Sequence, residues 1–465
     1  MSDIIILGAG INGLTAAALL ASDGYSVTVL ERDTAEPPGD AEAAWREWER
    51  HGVGHFRLPH FVLPRWHSEM AALLPGVLAE AERLGALRMN MVTSLPRALS
   101  GGERPGDDRF ETITGRRPVL ETAVANVVRE TPGVDIRRGV GVVGLLAEER
   151  PRGVPRVTGV VTESGAQYRA RLVVDMGGRR SALPTWLEGI GARPMLQEHE
   201  TSGFVYHARH FRAANGSQPT PLAPLVGNYD SITIGTHPAD NNTWSVVIVA
   251  SNRDPALRNL AKVETWERTL ARYPLVAHWG QGEPLGGVTV MRGIEDRHRS
   301  LVDDEGPVAT GVLIAGDAWA ATNPALARGL SLGVMHARIL RDTIRVVGLD
   351  DHRALSLAFH SATTEYLEPL YRATVATNRH RHAEIAANAE GLDYAPEDPT
   401  YHMMRALANA AAADPDALRA QTALAALQPA PGRQEIRELL DRLPSQPRYP
   451  LPGPTRRELV ELMAA

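Results

Sequence analysis

The chain contains no cysteine. Structural disulfides, cysteine zinc sites, iron–sulfur clusters, thiolate catalysis and cysteinyl-linked cofactors are therefore excluded. Lysine is almost absent: Lys262 is the only one, and arginine supplies the other basic residues. A Walker-type phosphate loop needs a Gly-Lys pair and cannot be built. Schiff-base chemistry could use Lys262 alone. No apolar run approaches about 18 residues, so no membrane span is expected. A large excess of charge of one sign is missing as well. The 49 basic and 55 acidic residues give a formal net charge of −6 with no dense basic tract, which argues against a general nucleic-acid binder. The early run Asp3-Ile4-Ile5-Ile6-Leu7 has no basic residues before it and reads as a strand, not a secretory signal. Together with the missing cysteines this fits a cytoplasmic location.

What is present is an ordinary globular balance. The chain has 465 residues, 43% apolar and 22% charged, enough for two or three domains' worth of core. The first segment reads strand, glycine turn, helix, strand, with Gly24 ending the helix and Glu31-Arg32 closing the second strand. Residues 41–90 read as mostly helical, broken by the Gly, His and Pro stretch 51–64. A helix is expected over 117–130 and strands over 134–149, 157–161 and 167–175. Strand-like runs follow in 200–250, with Asn241-Asn242 as a turn between two of them. A buried strand, Val312-Leu313-Ile314-Ala315, runs into Gly316-Asp317, and helices dominate from about 330. No internal repeat is visible. This order implies an α/β nucleotide-binding layer assembled from both ends of the sequence, with a β-rich insertion facing the substrate.

The strongest single element is Gly8-Ala9-Gly10-Ile11-Asn12-Gly13. A lone Gly-x-Gly-x-x-Gly is weak evidence. Here it follows a strand, opens a helix and precedes an acidic strand end, the setting the dinucleotide fingerprint requires. Gly8 permits the tight turn, Gly10 lets a pyrophosphate approach the backbone, and Gly13 lets helix and strand pack closely. Free N–H groups at the helix start favour phosphate, and Glu31 can accept from ribose hydroxyls. A second match, Gly139-Val140-Gly141-Val142-Val143-Gly144, leads toward Pro151 with no helix and reads as a strand. One dinucleotide site is expected.

Two later segments identify that dinucleotide by resemblance. They are Val173-Val174-Asp175-Met176-Gly177-Gly178-Arg179-Arg180-Ser181 and Val312 to Ala318, continuing through Asn323-Pro324 to Arg328-Gly329-Leu330-Ser331. With the fingerprint they resemble, in order and spacing, the three motifs of single-component FAD-dependent monooxygenases of the p-hydroxybenzoate hydroxylase-like class. Geranylgeranyl reductases, polyether epoxidases and flavin halogenases are the near relatives. The resemblance covers roughly residues 1–345. It implies a Rossmann-like, three-layer FAD-binding domain of the glutathione-reductase type. An inserted antiparallel β-sheet substrate domain and a C-terminal helical region complete the fold. The corresponding divisions are 1–195 with a substrate-side excursion near 85–110, 196–290, 291–345 returning to the FAD domain, and 346–465.

The resemblance also implies residue roles. Gly8, Gly10, Ile11, Asn12 and Gly13 would hold the FAD pyrophosphate, with Glu31 and Arg32 at the adenosine ribose. Arg117, in Arg116-Arg117-Pro118 with Glu121, would contact phosphate or flavin, and the backbone of Val142 would meet adenine. Asp175 stands in the Asp-Gly motif. Gly316 and Asp317 would contact the ribityl and pyrophosphate region, Pro324 the flavin ring, and Gly329-Leu330-Ser331 would open a helix pointing at it. A helix N-terminus there supplies donors and positive potential to reduced flavin, worth about 1 kcal/mol. In the stretch 51–60, which resembles a subgroup's post-fingerprint segment, Arg57 is expected near the flavin and His60 on the substrate side, as the catalytic candidates. Two departures weaken an aromatic-hydroxylase reading: Ala327 stands where glycine is usual, and Trp319-Ala320 replaces Ala-His.

Rival constellations are poorer. Gly329-Leu330-Ser331-Leu332-Gly333 fits a nucleophile elbow, which needs a strand directly before it; an Asn-Pro turn stands there instead. Halogenation, as that family implies, needs a placed lysine and a Trp-x-Trp motif, and the motif is missing. His380 with His382 on a helix, and His207 with His210 on a strand, face apart, so no metal site is expected.

The expected activity is therefore FAD-dependent monooxygenation of a small organic, secondary-metabolite-like substrate. The resemblance implies O2 and a C4a-hydroperoxyflavin, with NAD(P)H as transient reductant or a separate flavin reductase as partner. A reductase or dehydrogenase of a prenyl-like substrate, and a flavin-binding sensor without turnover, are the alternatives.

Overall fold

The structure is a computed structural model that describes residues 2–148, 153–445, 447 and 449–464. Glu149, the expected end of one strand, and Pro151, after the second glycine pattern, lie outside the described residues.

The strand Ser2–Leu7 forms the centre of the main sheet because Ile4, Ile5, Ile6 and Leu7 are buried on both faces. It pairs in parallel with Val27–Glu31 on one side and Gln167–Asp175 on the other. Val134–Arg138 extends the first side, and Val312–Ile314 joins the second. The lower half of Gln167–Asp175 pairs antiparallel with Arg156–Thr162, which pairs with Val142–Glu148. The second glycine pattern thus bridges two strands, with no helix after it.

The helix Ile11–Ser22 is apolar nearly all round, and it is sandwiched accordingly between the sheet and two further helices, Arg117–Arg129 and Gly329–Val347. Each fully buried Ile or Leu here contributes about 1.5–3 kcal/mol relative to exposure.

A second sheet is antiparallel, with Phe204–Arg212 and Thr243–Ser251 at its centre and Thr233–Pro238 and Val226–Asn228 beyond. Its hairpin turns at Asn241 and Asn242, with φ of 49° and 55°, as Asn-Asn favours. One face carries Phe211, Trp244, Val246 and Ile248, packed against Trp266 of the Val263–Leu270 helix and Leu459 near the C-terminus. The other face turns toward the nucleotide layer. The hairpin is bolted there by Arg116, whose backbone N–H and guanidinium both donate to the buried Asp240 carboxylate.

From Gly329 onward the described residues run through seven helices, as the sequence leads one to expect. No helix among the described residues is long and apolar enough to cross a membrane.

Candidate functional site

The three sequence motifs meet at one edge of the main sheet. Register places Leu7 beside Leu30 and Asp175, and Asp175 beside Ile314. The chains leave the sheet together: Gly8 N–H donates to Leu30 O at 2.8 Å, Met176 N–H to Leu7 O at 3.0 Å, and Ala315 N–H to Asp175 O at 3.0 Å. This is the carboxyl end of parallel strands, where open α/β sheets bind ligands.

The glycines there are built for close approach. Gly8 has φ +99°, and a Cβ on it would stand 2.8 Å from Met176 O. A Cβ on Gly13 would strike the Gly8 carbonyl, so helix and turn touch only because both lack side chains. Gly10, by contrast, faces open space, and no side chain caps the helix that begins at Ile11. That leaves a helix N-terminus with free donors over an unfilled cradle, which fits a pyrophosphate. The Ile11 side chain is buried, so its N–H and not its side chain faces the groove.

Glu31 is buried and already accepts from Ala9 N–H at 2.9 Å, Asp33 N–H at 3.0 Å and Arg50 at 2.8 Å. Of a carboxylate's roughly four acceptor positions, one remains for a ribose hydroxyl. The same Arg50 binds Asp33 at 3.0 Å and Glu121 at 2.7 Å. Sequence reasoning missed this residue: it lies in the irregular stretch after the Ala41–Arg46 helix, and nothing local marks it.

Arg117 donates to Glu121 at 2.6 Å and to the ring nitrogens of His55 and His60. His60 Nδ1 meets Leu58 O at 3.1 Å and its Nε2 meets Arg117 at 3.1 Å. Both nitrogens are engaged, so the catalytic reading of His60 gives way to one of positioning Arg117. Burial, aided by Arg117, lowers the His60 pKa to about 3, so the ring is neutral. Arg57 is also corrected. It donates to the carbonyls of Trp45, Arg46 and Trp48 and closes the preceding helix instead of facing a ligand.

Asp175 is buried and holds Gly177 N–H at 2.9 Å and the Ser181 hydroxyl. Its carboxylate shapes the Met176–Ser181 turn at this edge of the sheet. Asp317 does the opposite. It is half-buried and accepts no hydrogen bond from any described residue; desolvation raises its pKa while Arg117 and Arg179 pull it down. A free carboxylate between two guanidiniums fits ribityl hydroxyls. Gly316, at φ +59°, is fixed by the buried His336, whose Nδ1 accepts the Gly316 N–H at 3.2 Å.

At the third motif Asn323 accepts from Ala325 N–H at 2.9 Å and from the Tyr206 hydroxyl of the second sheet, leaving Pro324 exposed. Ala327 takes φ +52°, the left-handed conformation that explains the usual glycine. Gly329 opens onto free space, no side chain caps its helix, and Ser331 Oγ is buried without a partner. Leu330 is buried. Two predicted contacts stand apart: Arg32 is exposed and lies over Gly52, and Val142 lies beyond the 139–140 backbone that touches Glu31 and Asp33.

Residues 3–80 match the family described as FAD dependent oxidoreductase. The N-terminal part of the chain is thus similar to FAD-dependent oxidoreductases. The chain is 26% identical over 388 residues to Protein Rv3254 of Mycobacterium tuberculosis, covering 79% of this chain and 78% of that protein. Its fold is that of PqsL, a probable FAD-dependent monooxygenase from Pseudomonas aeruginosa, with TM-score 0.60, 20% identity, and 83% and 99% of the two chains covered. It is also that of the myxobacterial chondrochloren halogenase CndH, with TM-score 0.58, 18% identity, and 94% and 99% covered. In this chain the lone lysine, Lys262, is exposed at the start of the Val263–Leu270 helix, which packs on the sheet face turned away from the groove.

Proposed function

We propose that this protein is a monooxygenase that hydroxylates or epoxidises a small organic molecule, using O2 and NAD(P)H. The convergence of Gly8, Asp175 and Gly316 on one sheet edge carries the reading. Bound FAD would supply two-electron transfer from nicotinamide and reactivity of the reduced ring with O2. The chain's own residues bind and orient. Gly10 and the Ile11–Gly13 amides receive the pyrophosphate, with Arg117 beside them. Glu31 offers its last acceptor position to ribose, and Asp317 takes the ribityl chain. The uncapped Gly329 helix directs donors at the electron-rich ring edge. The second sheet closes the other side, with Tyr206 and Asn323 joining it to Pro324, and so shields the reacting atoms from water.

PqsL is described as a probable FAD-dependent monooxygenase, and one PqsL structure is a complex with 2-aminobenzoylacetate. That supports a small organic substrate for a fold of this kind. The position of Lys262 speaks against the halogenase alternative.

The test is a substrate screen on the FAD-loaded protein. A monooxygenase shows substrate-stimulated NAD(P)H oxidation and a product heavier by one oxygen atom. Turnover that persists without O2 would replace this reading with the dehydrogenase one.

A further inference from the structure

Register fixes which side chains of the second sheet face the groove. His210 stands opposite Ser245, and Ser245 opposite His237, so three polar side chains form one row across three strands. The next row on that face is Ala208, Val247 and Gly235, and the one after is Tyr206, Val249 and Thr233. Rows on one face are about 7 Å apart. The polar row thus lies about 14 Å from Tyr206, which meets Asn323 of the third motif, across a middle row of small residues.

These three side chains have no hydrogen-bond partner among the described residues, and His237 Nδ1 is buried without one. Unpartnered buried polar groups are costly and call for an explanation. Two aromatic rings flank the row: Trp45 at 4.8 Å from His210 and Phe61 at 6.2 Å from His237. Phe61 continues into an apolar lobe with Leu63 and Leu225, edged by Met89, Met91 and Ala327.

The charges nearest the row are balanced by carboxylates, although Arg116 Nη1 is itself buried without a hydrogen-bond partner. Arg116, nearest His210, binds Asp240 and Glu42; Arg212 binds Glu42; Arg117, behind His60, binds Glu121. Burial lowers the His210 pKa to about 3 and that of His237 to about 4, so both rings are neutral donor–acceptors near pH 7.

We infer that His210, Ser245 and His237 are the polar anchor of the substrate site and take the uncharged hydroxyl or carbonyl group of a flat molecule, whose apolar body lies against Phe61, Leu225 and Met91. The chemistry that follows binding rests on the monooxygenase reading; the binding itself does not. A carboxylate at the row would meet guanidiniums whose charge Asp240 and Glu42 already balance, so most of its desolvation cost would stand uncompensated.

The experiment titrates 1-naphthol, 1,4-naphthoquinone and 1-naphthoate into the full-length protein, with and without FAD. Quenching of Trp45 fluorescence is the readout, assigned with Trp45→Phe. Both neutral probes are expected to saturate, with 1-naphthoate at least about tenfold weaker. Ser245→Ala and His237→Leu are each expected to weaken 1-naphthol about fivefold, with FAD affinity unchanged. Naphthoate binding as tight as naphthol, no saturable binding of either neutral probe, or unaltered binding in the variants would overturn the inference. Should His237→Leu not fold, Ser245→Ala and the probe ranking still decide. Failure to bind FAD would instead strike the proposed function, because Trp45 reports with or without the cofactor.

Discussion

The Asn12 carboxamide occupies the space that a side chain on Gly333 would need, so the fingerprint helix and the third-motif helix interlock through one amide and one missing Cβ. The same Asn12 borders Gly316. A methyl group at 333 therefore acts on two motifs at once. Gly333→Ala is expected to expel Asn12, destabilise the fold by about 1–3 kcal/mol, and weaken FAD binding about tenfold or more. Urea unfolding and FAD titration measure the two effects, and Asn12→Gly combined with Gly333→Ala should recover most of the stability.

Ala327 sits at φ +52°. Glycine there would relieve about 1–2 kcal/mol of left-handed strain, offset by about 0.5–1 kcal/mol for a looser unfolded chain. Ala327→Gly is thus expected to raise the Tm slightly. A lowered Tm would show that the Ala327 methyl, packed near Phe61 and Leu63, contributes more than the strain costs.

What could be read in the sequence is what lies close together in it. Gly8, Gly10 and Gly13, the acidic strand end at Glu31, and Asp317 after its buried strand each sit in a local pattern with a physical reason. The β-α-β start, the late return strand at 312–314 and the Asn241-Asn242 hairpin follow from the same local rules. His210, Ser245 and His237 form a row only through the pairing of three strands, which no local pattern reveals. Arg50 acts from an irregular stretch, and the choice of Arg57 failed because a guanidinium that closes a helix looks the same in sequence as one that meets a ligand. Asp175 was recognised at the right place, where its side chain meets Ser181.

Arg50 bridges three buried carboxylates, Glu31, Asp33 and Glu121, sharing only Glu121 with Arg117, and so ties together two of the cofactor-side turns. Removing it leaves buried negative charge uncompensated, which costs about 3–5 kcal/mol. Arg50→Met is expected to unfold at markedly lower urea concentration at pH 7. A variant as stable as the parent at pH 7 would contradict the network's importance.

Acid sensitivity follows from the buried histidines. His336 is fully buried, and burial lowers its pKa from 6.5 to about 3. The unfolded chain takes up a proton below pH 6.5 that the folded chain refuses until about pH 3, so stability is complete above 6.5 and falls as the pH drops through that window. Each such histidine contributes a slope of about 1.4 kcal/mol per pH unit. Asp175, Asp296 and Asp317, whose pKa values burial raises, act with the opposite sign. The difference between parent and His336→Gln isolates the histidine. The parent should lose stability faster, by about that slope, between pH 6 and 4. Parallel curves would contradict the assignment.

The most direct test of the central claim is an FAD titration of the purified protein alongside Asp317→Ala. The account predicts saturable binding of one FAD per chain with a shifted visible flavin spectrum, and clearly weaker binding in the variant. A parent protein that takes up no FAD and leaves the flavin spectrum unchanged would contradict it.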